Sequence, residues 1–133
     1  MEMFTFLIKV KRSIINKMNY IIKGEKIFLR NVLIKDANLK YLKWLSDKKI
    51  NQYLETRHHK QSITLIRKFI STCKKNNSHL LAICTNKNKK HIGNIKIGPI
   101  NNFHQTSDIS YFIGDKNEWG NGYATEAVKL AVM

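Results

Sequence analysis

The sequence predicts one domain of α/β (α+β) class, a mixed, mostly antiparallel sheet flanked by helices. Three observations lead there. A chain of 133 residues, 43% hydrophobic and 25% charged, can build one core of ordinary size. From Gly24 onward the apolar residues switch between the period of two that strands show and the period of 3.6 that helices show. Three of the strand patterns follow one another directly, parted only by polar turns, as in an antiparallel meander.

The first 23 residues stand apart. Phe4, Phe6, Leu7 and Ile8 make an apolar stretch, but no positive region precedes it and no small-residue cleavage site follows, so it does not read as a secretory signal. Interleaved with Lys9, Lys11, Arg12 and Lys17 it could form an amphipathic basic helix. The simpler expectation is a frayed extension, with Met18 as an alternative start. Residues 1–23 are therefore expected to be an N-terminal extension, disordered or helical, and residues 24–133 the domain.

Ile27, Leu29 and Val32 predict the first strand of that domain. Asp36 is then placed to cap a helix carrying Leu39, Leu42 and Leu45, with Tyr41 and Trp44 widening its apolar face. Thr56 to Gln61 is polar and predicts a loop. Ser62 opens a second helix with Ile63, Ile66, Phe69, Ile70 and Cys73 on one side. Strands are expected at His79–Thr85, His91–Ile97 and Ser107–Ile113. Helical spacing returns near Gly122 with Ala124, Ala127, Val128 and Ala131.

Composition excludes some functions and leaves others open. The apolar runs are far shorter than the roughly 20 residues of a membrane span. Twenty-four basic against nine acidic side chains give a formal charge of +15, which suits acidic partners. Only Arg12, Arg30, Arg57 and Arg67 carry the planar fork that phosphate and base recognition favours, and the lysines are scattered, so a solvated surface ranks ahead of a nucleic-acid interface. Cys73 and Cys84 fall in a helix and a strand pattern without CxxC spacing, which predicts no disulfide framework and a reducing, cytoplasmic setting. His58, His59, His79, His91 and His104 lack zinc-ligand spacing, so no metal is expected.

The chemically informative stretch is Asp108 to Ala127, which reads as strand, loop, glycine turn and helix start. Gly120 and Gly122 allow positive φ and close backbone approach, and the helix start behind them leaves N–H groups without intrahelical partners. Such a turn suits a phosphate or diphosphate, helped by the positive end of the helix dipole. Two common phosphate loops are excluded. A dinucleotide fingerprint needs glycine where Thr125 stands, and a Walker A loop needs Lys-Ser/Thr where Tyr123 and Ala124 follow Gly122.

The element order and the segment Trp119 to Ala127, WGNGYATEA, resemble the GNAT superfamily of N-acetyltransferases, whose acetyl-CoA motif is Gln/Arg-x-x-Gly-x-Gly/Ala. His91 to Asn101 and Lys43 to Leu54 are similar to its ribosomal-protein N-terminal acetyltransferase branch (RimJ/RimL-type). Trp119 departs from the pattern, which prefers Gln or Arg there; Gly120, Gly122 and Ala124 keep its small residues. The resemblance implies a coenzyme arm along Phe112, Ile113 and Gly114 and a diphosphate at Trp119, Gly120, Asn121, Gly122, Tyr123, Ala124 and Thr125. The expected cosubstrate is acetyl-CoA, without a metal.

Amine attack on a thioester needs a base. Strand alternation puts Asp108, Ser110 and Phe112 on one face and Ile109, Tyr111 and Ile113 on the other. Asp108 is the candidate base by resemblance, against the alternative of an exposed aspartate paired with a lysine. The superfamily continues beyond the last helix with a strand, a further helix and two more strands. The chain is accordingly expected to be a fragment of a longer enzyme or a truncated product, with β-edge pairing, folding and activity impaired. The acceptor is expected to be an amine, on a small molecule or a protein N-terminus, and a homodimer is among the expected assemblies. Two other functions are weighed against acetyl transfer: a basic nucleic-acid-binding module and a non-catalytic acyl-CoA-binding remnant.

Overall fold

The computed structural model describes residues 21–52 and 60–132, and the backbone alone of residues 6–9. His58 and His59, Met133 and most of the loop between the two predicted helices lie outside them. The strands are β1 (Phe6–Lys9), β2 (Ile21–Lys23), β3 (Ile27–Asn31), β4 (His79–Thr85), β5 (His91–Ile97) and β6 (Thr106–Ile113). The helices are α1 (Leu39–Ser46), α2 (Lys48–Asn51), α3 (Ile63–Lys75) and α4 (Tyr123–Ala131). One sheet takes the order β1-β6-β5-β4-β3-β2, and every pairing in it is antiparallel. The predicted class and meander are observed.

Both faces of the sheet are covered, each by its own set of side chains. Ile27, Leu29, Leu81, Ile83, Ile95, Ile97, Ile109 and Ile113 form one face, closed by Ala127 and Ala131 of α4. Small residues on α4 let its backbone approach the isoleucines closely, and each large aliphatic removed from water contributes about 1.5–3 kcal/mol. Ala82, Cys84 and Phe112 form the other face, under Tyr41, Trp44 and Leu45 of α1 and Ile66, Ile70 and Cys73 of α3. The register aligns Ala82, Asn94 and Phe112 across three strands, which places them on that second face together.

Ser62 caps α3 as predicted, its side chain accepting from the Leu65 N–H at 3.1 Å. Asp36 does not cap α1. Asn38 does, accepting from the Tyr41 N–H at 3.0 Å. Asp36 lies one turn earlier and receives two bonds from the Arg30 guanidinium, at 2.8 and 3.0 Å, plus the Leu33 N–H at 2.7 Å. Burial alone would raise its pKa, but these hydrogen bonds outweigh that and hold the carboxyl below its usual value. The later cap also rotates α1: Leu39 is 66% exposed, and the buried arc is Tyr41, Trp44 and Leu45. Phe69 on α3 likewise stays at the surface, under the amine of Lys96.

Residues 6–9 and 21–23, placed by the sequence in a disordered or helical extension, are strands here. Their β-branched and aromatic residues suit a strand, and sheet pairing satisfies backbone groups that a frayed end would leave to water. β2 makes a hairpin with β3, pairing Ile22 with Leu29, so the expected boundary at Gly24 cuts a continuous unit. β1 covers the outer edge of β6 from Ile109 to Thr106. No helix among the described residues is long and apolar enough to cross a membrane.

Candidate functional site

The site lies where β6 ends. The N–H groups of Gly114 and Asp115 both donate to the Ile92 carbonyl, at 2.8 and 3.1 Å, and lift the chain off the sheet. At Gly114 a Cβ would overlap the Trp44 indole, so only glycine lets that ring wedge against the strand end. The Trp44 ring stands edge-on to Phe112 (6.0 Å, 79°) and to His91 (5.1 Å, 86°). Lys40 donates to the His91 carbonyl at 2.9 Å. Burial pushes the His91 imidazole below its usual pKa, partly opposed by a 2.7 Å hydrogen bond with Asn94. Burial likewise lowers the Lys40 amine.

A single 3₁₀ turn, Lys116–Glu118, then carries the chain to the glycines. It is pinned at its start. The Asp115 side chain accepts from the Asn117 N–H and pairs with Lys90, while Lys116 pairs with Asp47 at 2.6 Å. Asp115 and Glu118 are half-buried, and Asp115 is held by that pair. Trp119 turns inward. Its Nε1–H donates to the Ile113 carbonyl at 2.8 Å, and its ring packs against both hydrophobic clusters.

Gly120 and Gly122 have φ of +85° and +76°, a region L side chains rarely adopt. No atom lies within 4 Å of where a Cβ would stand at either position, so the turn faces open space. Gly122 is the N-cap of α4 and offers no side chain to its first turn. The first intrahelical bond runs from the Glu126 N–H to the Gly122 carbonyl, so the N–H groups of Tyr123, Ala124 and Thr125 precede it. They and the helix dipole favour an anion at that end.

Glu126, one turn in, does more than complement the dipole. Its carboxylate accepts the Lys26 N–H at 3.0 Å and the Ile27 N–H at 2.8 Å, tying α4 to the start of β3. The Lys26 amine reaches the Asn121 carbonyl at 3.3 Å. Asn86, in the β4–β5 turn, donates to the carbonyls of Gly24 and Glu25 at 2.9 Å each. Lys26, Asn86 and Trp44 were not among the residues singled out for the site. Contacts reaching across 95 and 99 positions leave no local signal, and only the topology brings them together.

The structure therefore brings Trp119, Gly120, Asn121, Gly122, Tyr123, Ala124 and Thr125 into one turn, joined to Phe112, Ile113 and Gly114 through the Trp119 bond. Phe112, Ile113 and Gly114 are buried, against Trp44 on one side and α4 on the other. Asp108 is exposed, on the same face as Phe112 and about 13 Å from it at the usual rise of a strand. None of the three ion pairs among the described residues uses it. No group of three or more His, Cys, Asp or Glu side chains that could hold a metal occurs among the described residues.

An antiparallel sheet with helices on both faces, ending in a glycine turn and a helix start without a side-chain cap, defines an α/β protein whose last helix opens onto solvent at its N-terminus. Residues 26–133 match the model of the acetyltransferase (GNAT) domain, and the chain belongs to that family. Three solved structures share the fold. An acetyltransferase of the GNAT family from Bacillus anthracis is 18% identical, with a TM-score of 0.65 over 84% of this chain and 63% of its own. RimL, a ribosomal-protein α-N-acetyltransferase in its apo form, is 16% identical, with a TM-score of 0.68 over 86% of this chain and 63% of its own. Apo FdhC, a nucleotide-linked sugar GNAT, is 18% identical, with a TM-score of 0.58 over 85% and 64%. The chain thus spans less than two thirds of the length of each. No functionally curated protein matches it.

Proposed function

We propose that the protein is an acetyl-CoA-dependent N-acetyltransferase acting on a primary amine, of the RimJ/RimL-type branch. The observation that carries this reading is the glycine-led, uncapped start of α4 inside a region that matches the GNAT family model. In this reading the N–H groups of Tyr123, Ala124 and Thr125 and the backbone of Gly120 to Gly122 hold the coenzyme diphosphate. The pantetheine arm runs back along the end of β6, at Phe112 to Gly114, adding main-chain bonds at the strand edge. The acceptor classes proposed are those of two solved relatives, a ribosomal-protein α-N-acetyltransferase and a nucleotide-linked sugar GNAT.

The reaction joins the amine nitrogen to the thioester carbon through a tetrahedral intermediate, breaks the C–S bond and releases the thiol. The proton lost by the attacking nitrogen passes to Asp108, directly or through water, and the departing sulfur gains a proton. Asp108 suits that part by its exposure and by sharing the Phe112 face, outside the ion pairs that engage Asp115 and Asp47.

Two measurements test the proposal. Acetyl-CoA at about a hundred times its Kd raises stability by about 2.7 kcal/mol, read as a higher melting temperature. An amine panel then releases free thiol, and Asp108→Asn lowers that rate about 100-fold at neutral pH. An unchanged melting temperature removes the coenzyme. Oligonucleotide affinity that falls steeply with salt supports the nucleic-acid reading instead. Stabilisation without any acetylated product identifies a binding remnant, and equal rates for Asp108→Asn remove the base.

A further inference from the structure

Three lysines meet the segment around the glycine turn, and they differ in what they face. Lys90 pairs with the Asp115 carboxylate and Lys116 with Asp47. Lys26 instead donates to a neutral acceptor, the carbonyl of Asn121, the residue between the two glycines. Its backbone is held from two sides: Glu126 takes its N–H and that of Ile27, and its carbonyl accepts from the Asn86 N–H at 2.9 Å. The main chain is fixed and the exposed side chain points along the turn.

We infer that Lys26 is the cationic contact for the coenzyme diphosphate, in the place left when Trp119 turns into the core. This rests on the acetyl-CoA reading above and adds a residue to it. The family pattern prefers Gln or Arg where Trp119 stands, and the Trp119 indole is committed to Ile113, so that position offers no polar group to the turn. Glu126 also sets a negative charge within the first turn of α4, opposing an anion at a helix end whose dipole is worth only about half a charge. Lys26 offsets it. Exchanging a carbonyl for a phosphate oxygen turns a bond with a neutral acceptor into one between two charges, about twice as strong or more.

The test is acetyl-CoA affinity for the wild type, Lys26→Met and Lys26→Arg at low and high salt. The main-chain bonds of Lys26 to Glu126 and from Asn86 survive in both variants and Lys26→Met loses only the exposed bond to Asn121, so the ligand-free melting temperature changes little. Lys26→Met is expected to bind about tenfold more weakly at 50 mM salt, about 1.4 kcal/mol, with Lys26→Arg close to wild type. At 0.5 M salt the difference shrinks to about twofold, because exposed charges are screened. Equal affinities for wild type and Lys26→Met overturn the assignment, as does a loss independent of salt or shared by Lys26→Arg. A wild-type protein that fails to bind acetyl-CoA overturns the coenzyme reading itself, and this inference with it.

Discussion

The indole N–H of Trp119 donates to the carbonyl of Ile113 at 2.8 Å, so the glycine turn is tethered to the strand that ends six residues before it. Trp119→Phe keeps most of the ring packing and removes the donor. It is expected to lower stability by about 0.5–1.5 kcal/mol, read by urea unfolding. Under the proposed function it is also expected to weaken acetyl-CoA binding, because the turn loses its tether to β6. A variant matching wild type in both measurements would show that the bond does not position the turn.

Gly114→Ala tests the other side of the strand end. The added methyl meets the Trp44 ring directly, and overpacking of this kind costs about 1–3 kcal/mol. Because Trp44 also supports Phe112 and His91, the near-ultraviolet circular dichroism should change along with the unfolding midpoint. Wild-type stability in Gly114→Ala would refute the close approach.

Glu126→Ala removes the acceptor for two main-chain N–H groups at the start of β3. Bonds to a charged group contribute about 1.5–3 kcal/mol, and a loss in that range is expected in chemical denaturation. Hydrogen exchange at Ile27 should quicken more than at Ile83 in the sheet centre, since only the former loses its acceptor. Equal quickening at both would point to global weakening instead.

Stability should fall in two stages on acidification. Burial holds His79 and His91 below the usual 6.5, so below that pH the unfolded chain takes up protons that the folded chain resists. The loss begins as pH falls through 6.5 and levels off below the folded values. Asp36, Asp47 and Asp115 are held below 3.8, and their contribution is present above that value and lost as pH drops through their lower folded pKa values. Urea midpoints from pH 8 to pH 3 read the first stage and the onset of the second. His91→Gln, which can still bond to Asn94, should shrink the first; a flat midpoint between pH 8 and 5 contradicts it.

Period and punctuation made much of the fold legible. The runs 79–85 and 91–97 emerge with the expected bounds, and Ser62 caps α3, because short apolar runs between polar turns and a serine before a helical stripe are local signals. The cap of α1 was misplaced for an equally physical reason. Asp36 and Asn38 are both good caps, and the choice depends on Arg30, which claims Asp36 from a neighbouring strand. The glycine turn was legible as a motif, since positive φ is written in Gly120 and Gly122 themselves. What fixes it in place was not: Trp44 at Gly114, Glu126 at Ile27 and Lys26 at Asn121 join residues that only the finished sheet brings near. The strands at residues 6–9 and 21–23 were hidden because each is a brief apolar run closed by one lysine, too short to show a period.

The reach of Glu126 back to Ile27 also orders events in time. Its two ends lie 99 positions apart, so closing it costs more chain entropy than local pairing does, and this clasp is expected among the later contacts to form as the polypeptide folds. An anion offered at the mouth of α4 would accordingly find its receptor only on molecules that have completed the journey, and ligand capture after dilution from denaturant becomes a clock for the final step.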